Sequence, residues 1–128
     1  MATIPLISEQ QATGQVKEIF DDVKHTLGLP FVPNLFKAMA NYPAYLEASW
    51  HRFKVIMGPG KLDRKTKEIL AFAVSAVSNC EYCINAHAAG LKQMGVSTEE
   101  LIEVLAVVDL FSGFNKFLDD LRVKSDVK

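Results

Sequence analysis

Glu68, Cys80, Cys83 and His87 fall within one stretch, EILAFAVSAVSNCEYCINAH, which holds both cysteines of the chain. Two thiols three residues apart suit reversible disulfide chemistry. On a helix, residues at i and i+3 share a face, and their Cα atoms lie about 5 Å apart, within the range a disulfide tolerates. Ser78-Asn79-Cys80-Glu81 reads as a capping box, so Ser78 is the expected N-cap and both cysteines fall in the first two turns. The free N–H groups and partial positive charge at a helix N-terminus favour thiolate over thiol. Thiolate is the form that attacks a disulfide or a peroxide. His87 follows Cys83 by four residues, one turn further along the same face. An imidazole there can take the Cys83 proton, directly or through a water. Cys83 is therefore the thiol expected to be activated first, with Cys80 as its resolving or exchanging partner.

Glu68 lies where the preceding helix turns from polar to apolar, with Phe72 and Ser75 on its face. A carboxylate at such a border is partly desolvated, which is expected to raise its pKa toward general-base chemistry. Antiparallel packing of this helix on the next one would bring Glu68 against Cys83 and His87, to orient the imidazole or hold a relay water. Ser75 and Ser78 are further, weaker hydrogen-bond candidates. Zinc would use the same four side chains, but three ligands within eight residues of one helix give poor tetrahedral geometry. No resident metal or cofactor is expected. His25 and His51 stand among surface-type residues and read as structural. Glu81 and Tyr82 are placed to line the site mouth, although Tyr82 equally suits packing.

The elements that must position these residues are helical throughout, with no strand showing strict alternation. Ser8 with Gln11 forms a capping-box start, and Val16, Ile19, Phe20 and Val23 follow at helical spacing toward a stop near Gly28. Pro33 opens a short helix, NLFKAMAN. A third runs from Pro43 to about Met57, its Trp50–Phe53 stripe reading as core, and GPGK breaks the chain after it. Asp63 caps a fourth helix to about Val77. A fifth runs to about Met94, ending at Gly95. Ser97 with Glu100 caps a sixth, which Gly113 is expected to kink or divide before a polar tail. The fourth and sixth, rich in ILAFAVSAV and LIEVLAVVDLF, are apolar on nearly every side. Such helices are buried in a bundle centre or face a second subunit. Association through helix packing is the expectation, with one compact bundle as the alternative.

The 128 residues suit one domain, residues 1–128. With 49% hydrophobic and 23% charged residues the chain is globular, and a net charge of −1 leaves no basic field for nucleic acid or an anionic membrane. No run approaches the ~18 apolar residues of a membrane span, and MATIPLISEQ lacks a signal peptide's basic start. A cytoplasmic location is expected. In that setting a close cysteine pair is redox-active, catalytic or metal-binding rather than a secreted framework.

Taken together, E-x(11)-C-x-x-C-x(3)-H, with Glu68, Cys80, Cys83 and His87, resembles the signature of the alkylhydroperoxidase AhpD-like family of the carboxymuconolactone decarboxylase-like superfamily. PFVPNLFKAMANYPAYLEA upstream is similar to the same subgroup. The resemblance implies an all-α fold assembling as homo-trimers or homo-hexamers. It implies thiol-dependent peroxide reduction, with Cys83 attacking, Cys80 as its disulfide partner, and Glu68 and His87 as proton relay. It also implies an external dithiol reductant, such as a lipoyl group on a partner protein, and onward electron transfer to a peroxiredoxin. Some members carry a second histidine just before the second cysteine; here Tyr82 stands there. The expected activity is peroxidatic. The alternatives are a protein-disulfide reductase adaptor or redox sensor without peroxide turnover, and a lactone decarboxylase-like lyase or plain helical oligomer. The cysteine pair argues against the lyase.

Overall fold

The computed structural model describes residues 2–127, and they form six helices: α1 (Gly14–Leu27), α2 (Asn34–Met39), α3 (Pro43–Met57), α4 (Arg64–Val77), α5 (Glu81–Gln93) and α6 (Thr98–Leu121). No strand occurs among the described residues, so the chain is all-α as expected. It divides into two compact units, one up to Gly58 and one from Pro59 onward.

The first unit holds α1, α2 and α3. Its core is Ala12, Phe20, Val23, Val32, Phe36, Ala40, Leu46 and Trp50. Fully burying an aromatic or aliphatic side chain of this size contributes about 1.5–3 kcal/mol. The Trp50 ring meets Phe36 edge-on at 5.3 Å and stacks on Phe53 at 5.3 Å. Its indole N–H donates to Asp22 Oδ2 at 2.8 Å, so burial leaves no polar atom unpaired. The expected Trp50–Phe53 core stripe is thus present. The Ser8–Gln11 box forms, with Ser8 N donating to Gln11 Oε1 at 2.9 Å and Gln11 N to Ser8 Oγ at 3.1 Å. It closes only a single turn, however. Thr13 then goes extended, and α1 starts at Gly14, five residues later than the box suggests.

The second unit holds α4, α5 and α6. Asp63 caps α4 by accepting from Thr66 N at 2.7 Å, and Ser97 with Glu100 makes the complete reciprocal box at the start of α6, both as expected. Between α4 and α5 the chain differs from the sequence reading. Ser78 closes α4 in helical conformation and Asn79 turns left-handed, at φ 56°. Asn79 N then donates to Ala76 O at 3.2 Å and Cys80 N to Ser75 O at 3.1 Å, the paired bonds of a Schellman closure. These bonds use Ser78 and Asn79 to end α4, so the cap of α5 passes to Cys80. Gly95, at φ 85°, ends α5 by the same device, and the Val96–Leu91 contact it creates joins the core of Phe72, Leu91, Val96 and Leu101.

Gly113 does not divide α6, which runs as one helix to Leu121. The two apolar helices are not enclosed within the chain. On α4 only Glu68, Phe72 and Ser75 are buried, while Leu70, Val74 and Val77 are exposed. On α6 only Leu101 is buried, and Ile102, Val107, Leu110, Phe111, Phe114, Phe117 and Leu121 are exposed. No helix is long and apolar enough to cross a membrane among the described residues.

Candidate redox site

Cys80 and Cys83 are joined as a disulfide across the first turn of α5, with Cα atoms 5.3 Å apart, close to the spacing that C-x-x-C on a helix predicts. Cys80 is the N-cap residue, and its sulfur accepts the Cys83 backbone N–H at 3.3 Å. One of the orphan amides of the helix start is therefore satisfied by a sulfur rather than by the Ser78 hydroxyl. Both cysteines are half-buried, and Tyr82 between them is 46% exposed.

Glu68 reaches the site from α4. It is 5% exposed, and its Oε1 accepts from His87 Nδ1 at 2.5 Å. The contact links an early turn of α4 with a later turn of α5, the hairpin pairing expected from the sequence. A carboxylate bound to Nδ1 fixes that nitrogen as the protonated one and leaves Nε2 free to accept. His87 lies one turn beyond Cys83 on the same helix. Arg64, one turn before Glu68, reaches Oε2 at 3.5 Å.

The electrostatics differ from the sequence reading. Burial raises the Glu68 pKa, but the His87 hydrogen bond and charge, with Arg64, outweigh it and hold the carboxyl below its ordinary 4.5. Desolvation alone would have given a base. Two cationic or donating partners, invisible to a border-of-polarity argument, give a fixed anion instead. The Ser75 hydroxyl is also withdrawn from the site, since it donates to Ala71 O at 2.7 Å, and Ser78 is exposed. No buried side-chain nitrogen or oxygen lacks a partner among the described residues.

Two contributors were absent from the sequence reading. Arg64 had a usable signal, the i, i+4 spacing from Arg64 to Glu68 on one helix face. Gly90 had a weaker one, being a glycine in a helix interior. A Cβ there would lie 3.1 Å from Glu68 Oε1 and 3.5 Å from its carboxyl carbon. His25 and His51 are exposed and lie in the other unit.

Residues 37–123 match the carboxymuconolactone decarboxylase family. Over 98% of this chain and 95% of that one, the fold is similar to the crystal structure of an alkylhydroperoxidase AhpD core from Rhodospirillum rubrum, with a TM-score of 0.92 and 35% identity. An alkyl hydroperoxide reductase AhpD of Nocardia farcinica is 37% identical over 62 residues, 48% of this chain. An (R)-2-haloacid dehalogenase of Pseudomonas putida is 29% identical over 106 residues, 83% of this chain. The chain spans only about a third of these two relatives, 34% of the reductase and 35% of the dehalogenase. The family match across the helical hairpin, and the full-length likeness to an AhpD core, make this chain an AhpD-like member of the carboxymuconolactone decarboxylase family.

Proposed function

We propose that this chain is a thiol-dependent hydroperoxide reductase. The observation that carries the reading is the Cys80–Cys83 disulfide one helical turn from a buried Glu68–His87 pair. In the reduced protein, His87 Nε2 takes the Cys83 proton and Glu68 stabilises the imidazolium that results. The Cys83 thiolate attacks the peroxide's terminal oxygen, the O–O bond breaks, and the departing alkoxide takes a proton from His87. The products are an alcohol and a Cys83 sulfenic acid. Cys80 attacks that sulfur, water leaves, and the disulfide forms. An external dithiol then attacks the disulfide twice, leaving both cysteines reduced and itself as a cyclic disulfide. A lipoyl group is the reductant class the AhpD likeness suggests, and a lipoyl-bearing protein or a peroxiredoxin is the matching partner class.

In this cycle the Cys80–Cys83 disulfide is the oxidised form, the one the external dithiol reduces. Glu68 serves the cycle as a permanent anion rather than as a proton carrier, because its partners hold it charged. The apolar faces of α4 and α6 support assembly of several copies, since exposed patches of that kind mark association surfaces; trimers or hexamers are the assemblies the AhpD likeness suggests.

The test is peroxide consumption driven by dihydrolipoamide, for wild type beside Cys83→Ser and Cys80→Ser. Sustained turnover by wild type and none by either variant is expected. A wild type whose thiols cycle to the disulfide with a protein partner, yet consume no peroxide, would instead establish a disulfide-exchange adaptor or sensor. Tyr82, exposed where some relatives have a relay histidine, favours that second reading.

A further inference from the structure

The glycines of this chain do different jobs. Gly28 and Gly95 adopt positive φ at helix ends, and Gly113 sits in α6 with nothing within 4 Å of where a Cβ would be. Gly90 is different. It lies inside α5, where glycine weakens a helix relative to alanine, and it needs no special backbone angle. The three atoms nearest to where its Cβ would lie all belong to one residue, Glu68. A Cβ would meet Oε1 at 3.1 Å, the carboxyl carbon at 3.5 Å and Cγ at 3.8 Å. Oε1 is the very oxygen that accepts the His87 proton.

We propose that Gly90 is a positioning residue, whose missing side chain forms the slot that sets the Glu68 carboxylate at hydrogen-bonding height against His87. This deepens the reading of His87 as the site's proton carrier, oriented by the Glu68 anion, and rests on it. His87 and Gly90 are three residues apart on α5, so both face the same carboxylate. A methyl group at Gly90 requires Oε1 to move by a few tenths of an ångström. Glu68 has little room to comply. Its Oε1 is bound to His87, its Oε2 is drawn by Arg64, and the side chain is buried. The movement therefore falls on the Oε1–Nδ1 bond, which aligns the imidazole. The helix is stabilised by the same substitution that disturbs the site, and this opposition separates positioning from a general structural role.

Gly90→Ala is compared with Gly113→Ala, which adds the same methyl in open space. The readouts are the rate of thiol loss when the reduced protein meets tert-butyl hydroperoxide, the thermal midpoint, and the NMR resonance of the His87 Nδ1 proton. Gly90→Ala is expected to react roughly tenfold more slowly, by analogy with other small misplacements of catalytic groups. Its Nδ1 proton should move upfield, and its thermal midpoint should not fall. Gly113→Ala should change neither rate nor resonance. Adding Gly90→Ala to Glu68→Gln should slow the reaction no further.

An unchanged Nδ1 resonance in Gly90→Ala overturns the proposal, as does an equal slowing in the Glu68→Gln background. If wild type is inert to peroxide but the resonance still moves, the peroxidase reading fails and the positioning role stands. Should Gly90→Ala fail to fold, adding Glu68→Asp, whose shorter side chain clears the new methyl, must restore folding. A double variant that stays unfolded also overturns the proposal.

Discussion

Up to Gly58 the buried residues are aliphatic and aromatic, from Ala12 and Phe20 to Leu46 and Trp50. From Pro59 on, the buried set is Phe72, Leu91, Val96 and Leu101, together with Glu68 and Ser75. Both units expose large apolar side chains, Tyr42 and Val55 among them in the first, but in the second they concentrate on α4 and α6. The second unit leaves Val74 64% exposed and Phe117 63% exposed, while it encloses a charged carboxylate. Burying a charge is unfavourable unless it is paired, and exposing large apolar faces forgoes a gain that folding alone could have taken. A unit that does both is organised for something besides its own stability. The first unit closes a core; the second holds the candidate redox site and presents surface.

This contrast can be broken most forcefully in the first unit. Trp50→Ala removes two ring contacts and the bond to Asp22. It should lower stability by about 3–5 kcal/mol in denaturant titration, with thiol reactivity unchanged in the chains that remain folded. In the second unit the ordering reverses. Glu68→Gln should slow thiol oxidation by peroxide about a hundredfold, because the anion that stabilises the imidazolium is gone, as a stopped-flow comparison would read.

The same residue predicts a pH effect. Because Glu68 is held below its ordinary 4.5 in the folded chain, its stabilising contribution is complete above that value. It disappears as pH falls below 4.5 through the depressed folded value. The thermal midpoint of wild type should therefore drop toward that of Glu68→Gln on acidification, and the gap between them should be widest near neutrality. A constant gap from pH 3 to 7 would remove Glu68 from the account.

The apolar faces give a smaller effect on folding and a larger one on assembly. Val74→Lys and Leu110→Lys, each at an exposed position, should change unfolding free energy of the isolated chain by under about 0.5 kcal/mol. They should lower the mass seen by light scattering if copies associate through these faces. Gly113→Ala should leave the site untouched and add about 0.5–1 kcal/mol from helix propensity alone, readable as a raised thermal midpoint.

Much of this was legible from residue spacing. Pro43 to Met57 as one helix and the Ser97–Glu100 box follow from local rules that the tertiary structure leaves intact, and the pairing of Glu68 with His87 follows once α4 and α5 pack as a hairpin. The departures share a cause, competition for the same groups. Ser78 looked like a cap for α5, but the closure of α4 at Asn79 claimed it first. Ser8 and Gln11 made their box without a helix behind it, because Thr13 leaves the helical region. The Glu68 pKa direction depended on partners, and Gly90 on a contact between helices, and neither is encoded in the spacing of a single element.

In the proposed cycle Cys83 meets the peroxide and Cys80 resolves it. One equivalent of hydroperoxide added to reduced Cys80→Ser, with a dimedone-type trap and mass spectrometry of the peptides, tests this directly. A sulfenic-acid adduct is expected on Cys83 in that variant and none, or far less, on Cys80 in reduced Cys83→Ser. Equal trapping on either cysteine, or an adduct on Cys80 alone, would contradict it.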